Sequence, residues 1–129
     1  MSKLSKILII SLVSLYLSTS IPASVHAFDP WTTTDKLLLT SSALAMGIDW
    51  MQSRKIAGNP DRWGERNPIL SRHPSRNQVD IYFGAAMVLV PVVAHILPGD
   101  WRKGFLIGTT VLSVGCVVHN FGMGVGIEF

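Results

Sequence analysis

Six of the chain's eleven Lys and Arg residues, Arg54, Lys55, Arg62, Arg66, Arg72 and Arg76, lie between two strongly apolar stretches. This constrains the fold more than any other feature. Apolar blocks parted by a short basic connection are the pattern of membrane spans, and such connections stay on the cytoplasmic side. Hydrophobic residues make up 48% of the chain and charged residues 15%, against roughly a quarter charged in soluble domains. The expectation is an all-α integral membrane bundle, residues 28–129 forming one membrane domain. The formal charge of +3 does not indicate nucleic acid, because the basic residues gather beside the apolar blocks without any nucleic-acid motif. The lipid bilayer is the expected surrounding, with anionic head groups within reach of the loop.

The first 27 residues read as a secretory signal. Lys3 and Lys6 precede an apolar run from Ile7 to Leu17, Pro22 breaks the helix, and Val25-His26-Ala27 offers a cleavage site. An uncleaved anchor, giving four spans rather than three, is the alternative. Either version puts residue 28 outside the cytoplasm of a bacterial inner membrane. Spans are then expected at about 36–53, 77–97 and 104–124, with residues 54–76 as a cytoplasmic loop and a cytoplasmic C-terminus. The turn at 98–103 falls outside, with Trp101-Arg102-Lys103 as an interfacial anchor. Thr32 with Asp35 resembles an N-terminal capping arrangement, and Ser75 with Gln78 fits a capping box. Asn59-Pro60 and Asn67-Pro68 are each suited to start a short helical turn.

Each span has a small or polar face at helical spacing. On the third span Gly104, Gly108, Gly115, Gly122 and Gly126 form a stripe nearly bare of side chains, joined by Leu112 and His119. Bare faces let membrane helices approach closely, so the stripe is expected to pack on a helix of this chain or of a second copy. The ionisable residues form a second pattern. At 1.5 Å per residue, Asp49 and His119 each lie roughly 20 Å from the outer ends of their helices. Asp49, Gln52, Asp80 and His119 are therefore expected to share one layer near the inner leaflet, with Glu65, Asn67 and His73 below it. Ionisable residues in a membrane are costly and often functional, and Asp49, Asp80 and His119 are weak candidates for a metal. The structural alternatives are equally concrete: a carboxylate at the start of a helix for Asp80, and pairing with Arg54, Arg76, Trp50 or Tyr82 for Asp49. The lone Cys116 excludes an intramolecular disulfide and reads as a packing residue.

The segments Asp49-Trp50-Met51-Gln52-Ser53, Glu65-Arg66-Asn67-Pro68-Ile69-Leu70 and His73-Pro74-Ser75 carry a resemblance over residues 48–84. Together they resemble a group of small bacterial and phage-associated membrane proteins. That group shares an Asp-x-x-Gln-Thr helix end, a Glu-x-Asn-Pro-x-Leu loop and a His-Pro-Ser start to the next helix. Ser53 departs from it, standing where Thr is more common. The resemblance implies that Asp49, Gln52, Glu65, Asn67 and His73 act as a unit; it implies no reaction and no cofactor.

No Gly-x-Ser-x-Gly elbow, phosphate-binding loop, dinucleotide fingerprint or His-Glu-x-x-His is present. The expected function is that of an oligomerising or partner-binding membrane module. A cation- or proton-handling protein using Asp49, Asp80 and His119 is the alternative, and a membrane enzyme with a cytoplasmic-face site is the third reading.

Overall fold

The computed structural model describes residues 29–127; the signal or anchor expected at 1–27 lies outside them. The described chain is all-helical: α1 (Thr33–Ala57), α2 (Arg76–Ile96) and α3 (Gly99–Gly122). They run up, down and up, with α1 packed against both others and α2 touching α3 less. Both expected capping boxes form. Thr32 Oγ1 accepts from the Asp35 amide at 3.1 Å while Asp35 Oδ2 accepts from the Thr32 amide at 2.9 Å. Ser75 and Gln78 make the same reciprocal pair at 3.2 and 2.9 Å. These caps satisfy amides that the first helical turn leaves without partners.

α1 and α3 are longer than the expected spans, while α2 matches 77–97 within one residue. At 25 residues, α1 is about 37 Å long and overruns the 36–53 segment at both ends. α3 begins at Gly99, five residues ahead of the expected 104, so Trp101, Arg102 and Lys103 belong to a helix and not to a turn. In the loop, the Arg62 and Trp63 amides both reach Asn59 O at 3.1 Å, giving the single helical turn expected there. Asn67-Pro68 starts none. Asn67 Oδ1 instead accepts from the Ile69 amide at 3.0 Å.

α2 and α3 are long and apolar enough to cross a membrane. α1 does not meet that apolar standard, and the distribution of side chains shows why. Asp35, Ser42, Asp49, Gln52 and Ser53 are all on α1 and all buried. Leu37, Leu44, Ile81, Val88, Ile107, Val111 and Val118 are exposed, Leu44 and Val111 by 66% each. Polar groups inside and apolar groups outside suit an apolar solvent, since water would solvate the former and expel the latter. A modest apolar core of Met46, Val90, Ala94 and Leu106 fills the middle. A second, of Ile56, Trp63 and Val125, seals the loop end.

Arg102 corrects the expectation of an interfacial anchor: it is fully buried. Its guanidinium sits where the segment 29–35 meets the end of α2. Nε donates to Ala94 O at 2.8 Å. Nη1 donates to Pro30 O at 3.4 Å and to Asp35 Oδ2 at 3.3 Å. Nη2 donates to Asp29 O at 2.8 Å and to Leu97 O at 3.2 Å. All five guanidinium N–H donors are used. The cation also lies 4.8 Å from the Trp31 ring centre, and Trp31 Nε1 donates to His95 Nδ1 at 3.2 Å. Asp29 Oδ2 accepts from the Gly99 amide at 2.8 Å, holding the start of α3.

Candidate functional site

The opposite end of the bundle gathers polar groups from every element. Asp49 and Gln52 are three residues apart and so share one face of α1. Asn120 of α3 bridges them: its Nδ2 donates to Asp49 Oδ1 and to Gln52 Oε1, both at 3.2 Å. Gln52 Nε2 in turn donates to Val125 O at 3.2 Å. Val125 is brought there by the last turn of α3. Gly124 adopts φ +80°, and the Val125 amide bonds back to Asn120 O at 2.9 Å. That left-handed residue closing a helix is the glycine-ended cap that favours Gly over any side chain. Trp63 Nε1 donates to Met123 O at 3.1 Å, fastening the loop to the same turn.

The Glu-x-Asn-Pro segment folds over this end. Glu65 Oε1 accepts from the amides of Arg66 and Asn67, both at 2.9 Å, and the Glu65 amide donates to Arg72 O at 2.7 Å. Glu65 and Asn67 are buried although both lie in the loop. Asn67 and Tyr82 of α2 line one hollow with Asp49, and Glu65 lies near enough for its charge to act on Asp49. Two hollows meet here. A cavity of about 90 Å³ inside the bundle is lined by Asp49, Asn67, Tyr82, Phe83, Thr109 and Ser113 among others. A wider hollow of about 660 Å³ opens among the loop residues, with Glu65, Arg66, Asn67, Arg72 and Met123 in its wall. Asn67 lines both.

The structure thus brings together Asp49, Gln52, Glu65 and Asn67. It does not bring His73, Asp80 or His119 to them. Asp80 turns to the side, where Oδ1 accepts from Trp50 Nε1 at 2.7 Å and pairs with Arg54 at 3.4 Å. Trp50 and Arg54, expected as partners of Asp49, are therefore taken by Asp80. His73 is exposed in the loop, and His119 is exposed on α3. Asp49, Asp80 and His119 lie at similar depth, since Asp80 meets Trp50 and the neighbour of His119, Asn120, meets Asp49, but they face different sides of the bundle. Among the described residues no group of three or more His, Cys, Asp or Glu stands close enough to hold a metal.

The register of α3 accounts for His119. Its inward face is Arg102, Leu106, Thr109, Ser113 and Asn120, of which Thr109 Oγ1 accepts from Ser42 Oγ at 3.1 Å. The glycine stripe lies about two residues, or 200°, around the helix from that face. A Cβ added at Gly104, Gly108, Gly115, Gly122 or Gly126 would meet nothing within 4 Å. The stripe packs on no helix among the described residues. Asn120 was readable in the sequence as one of four polar residues, Arg102, Thr109, Ser113 and Asn120, on one side of α3. The more conspicuous glycines pointed to the other side.

Comparison with family models, with curated proteins and with solved structures returned no match to this chain.

Proposed function

We propose that the protein is a small three-span membrane module that assembles with another membrane helix through the outer face of α3. One observation carries this reading: Gly104, Gly108, Gly115 and Gly122 are open, with nothing of the described chain against them. Between them stand Val111 and Val118, exposed by 66% and 63%. Positions 104, 108, 111, 115, 118 and 122 alternate in steps of four and three, the spacing of a seam between two helices. Glycine at four of them lets backbones approach closely, and valines on the same line supply a packing surface that loses little side-chain entropy. A second copy of the chain or a different membrane protein would fit this seam.

The placement that goes with it is a bacterial inner membrane, with residue 28 outside and the 54–76 loop and C-terminus in the cytoplasm. Six basic residues in that loop, against Arg102 and Lys103 at the start of α3, support the orientation. α1 serves as the third span because its polar side chains are turned inward against α3. The resemblance over residues 48–84 fits a structural unit that closes the cytoplasmic mouth.

Replacing Gly108 or Gly115 with Leu tests the seam. Cross-linking in membranes and mass measurement in detergent should show loss of the assembled species while the monomer keeps its melting temperature. Unchanged assembly in both variants overturns the reading.

A further inference from the structure

The loop end of the bundle has more buried acceptor oxygens than donors to meet them. Glu65 is only 6% exposed; Oε1 takes two backbone amides, and Oε2 has no partner. Asn120 is 1% exposed and commits its Nδ2 to Asp49 and Gln52, leaving Oδ1 without a donor. Asp49 receives that one amide bond and no cation. Among the described residues, the ion pairs are Arg54 with Asp80 and Arg102 with Asp35, so neither Asp49 nor Glu65 has a basic partner. The other titratable and charged groups around them offer none either. Tyr82 of α2 and Cys116 of α3 are neutral neighbours, and Arg66 and Arg72 line the outer hollow together with Glu65 without pairing with it. Buried oxygens in this state are costly, and a cation is what cancels the cost.

From these residues the geometry points to a site for one hard monovalent cation, a proton or a sodium ion, held between Asp49 and Glu65 with the Asn120 carbonyl oxygen completing it. Carboxylate and amide oxygens without a histidine are the donors that hard cations prefer. Space is present, since the adjoining cavity of about 90 Å³ exceeds the roughly 10–15 Å³ that one water requires. Asn67 lines both that cavity and the open loop hollow, so one side chain parts the site from the outside. The site does not involve the outer face of α3 and stands or falls apart from the assembly proposed above.

The test uses the full chain purified in detergent. Its melting temperature is followed by tryptophan fluorescence in sodium chloride and in choline chloride at equal ionic strength, between pH 5 and 9. A ligand bound only by the folded state raises the melting temperature. A sodium site gives a rise of several degrees in sodium over choline. A proton site gives a melting temperature that falls as pH rises, equally in both salts, because the folded state alone holds the proton and loses it at high pH. In either case Asp49→Asn and Glu65→Gln should remove the response. A wild-type melting temperature indifferent to both ions overturns the proposal, as does a response that survives in both variants. Should the variants fail to accumulate, calorimetric titration of the wild type decides: with sodium chloride, or by proton uptake on mixing between buffers of different ionisation enthalpy. One site per chain supports the proposal, and no heat in either titration overturns it.

Discussion

The two ends of this bundle solve the same problem differently. Each buries a carboxylate of α1 beneath residues brought from elsewhere in the chain. At the Asp35 end a guanidinium answers the charge, and all five of its donors find oxygens. At the Asp49 end only amides answer, and oxygens of Glu65 and Asn120 are left over. The first end meets its charge with a cation and fixes three segments in place, although Asp35 Oδ1 is buried there without a donor. The second leaves buried acceptors and has no cation of its own, which is the condition of a site that takes one up. Buried polarity and a spare oxygen by themselves do not separate structure from function; the presence of a countercharge does.

The comparison can be broken most forcefully at Arg102. Arg102→Met should cost about 3–5 kcal/mol, because the Asp35 carboxylate is then buried without a partner. Adding Asp35→Leu to that variant should recover much of the loss, since an apolar pair of similar volume replaces an ion pair at little net cost. Thermal unfolding in detergent measures both. Failure of the double variant to recover would mean that the carbonyls of Asp29, Pro30, Ala94 and Leu97, rather than the ion pair, carry the lock. Asn120→Ala should cost less, about 1–3 kcal/mol, by leaving Asp49 and Gln52 oxygens without their shared donor. It should also weaken any response to sodium or pH, which Arg102→Met should not alter in kind. Smallest is Asp80→Asn, expected at less than about 1 kcal/mol, since the Arg54 pair is partly exposed. A loss as large as that of Asn120→Ala would place Asp80 in the loop-end network after all.

How much of this was readable beforehand follows a physical line. Features fixed by a few neighbouring residues were legible: both capping boxes, the turn after Asn59, and the grouping of Asp49 with Gln52. The unit that the resemblance implied held Asp49, Gln52, Glu65, Asn67 and His73; the first four meet at the loop end, and His73 stands exposed in the loop. The facing of α3 was not legible. In water, apolar periodicity marks the buried side of a helix; with an apolar exterior that signal is cancelled, and the glycine stripe was as credible inside as outside. Arg102 was misread for the same reason. Next to Trp101 and Lys103 it has the look of an interfacial residue, and only the meeting of three distant segments gives its donors buried oxygens. Asp80 took two of the partners expected for Asp49 because Trp50 and Arg54 leave α1 on a different side from Asp49.

The inward face of α3 has a consequence for how the protein is made. The groups that satisfy α1's carboxylates, Arg102 for Asp35 and Asn120 for Asp49, both reside on α3, which leaves the ribosome after α1 and α2. Until α3 is synthesised, α1 carries its polar side chains with nothing to receive them. Its retention in the bundle is thus decided late, by residues 67 and 71 positions downstream of their partners. A chain cut short before α3 would lose both fastenings at once, so quality control of the first helix is written into the third.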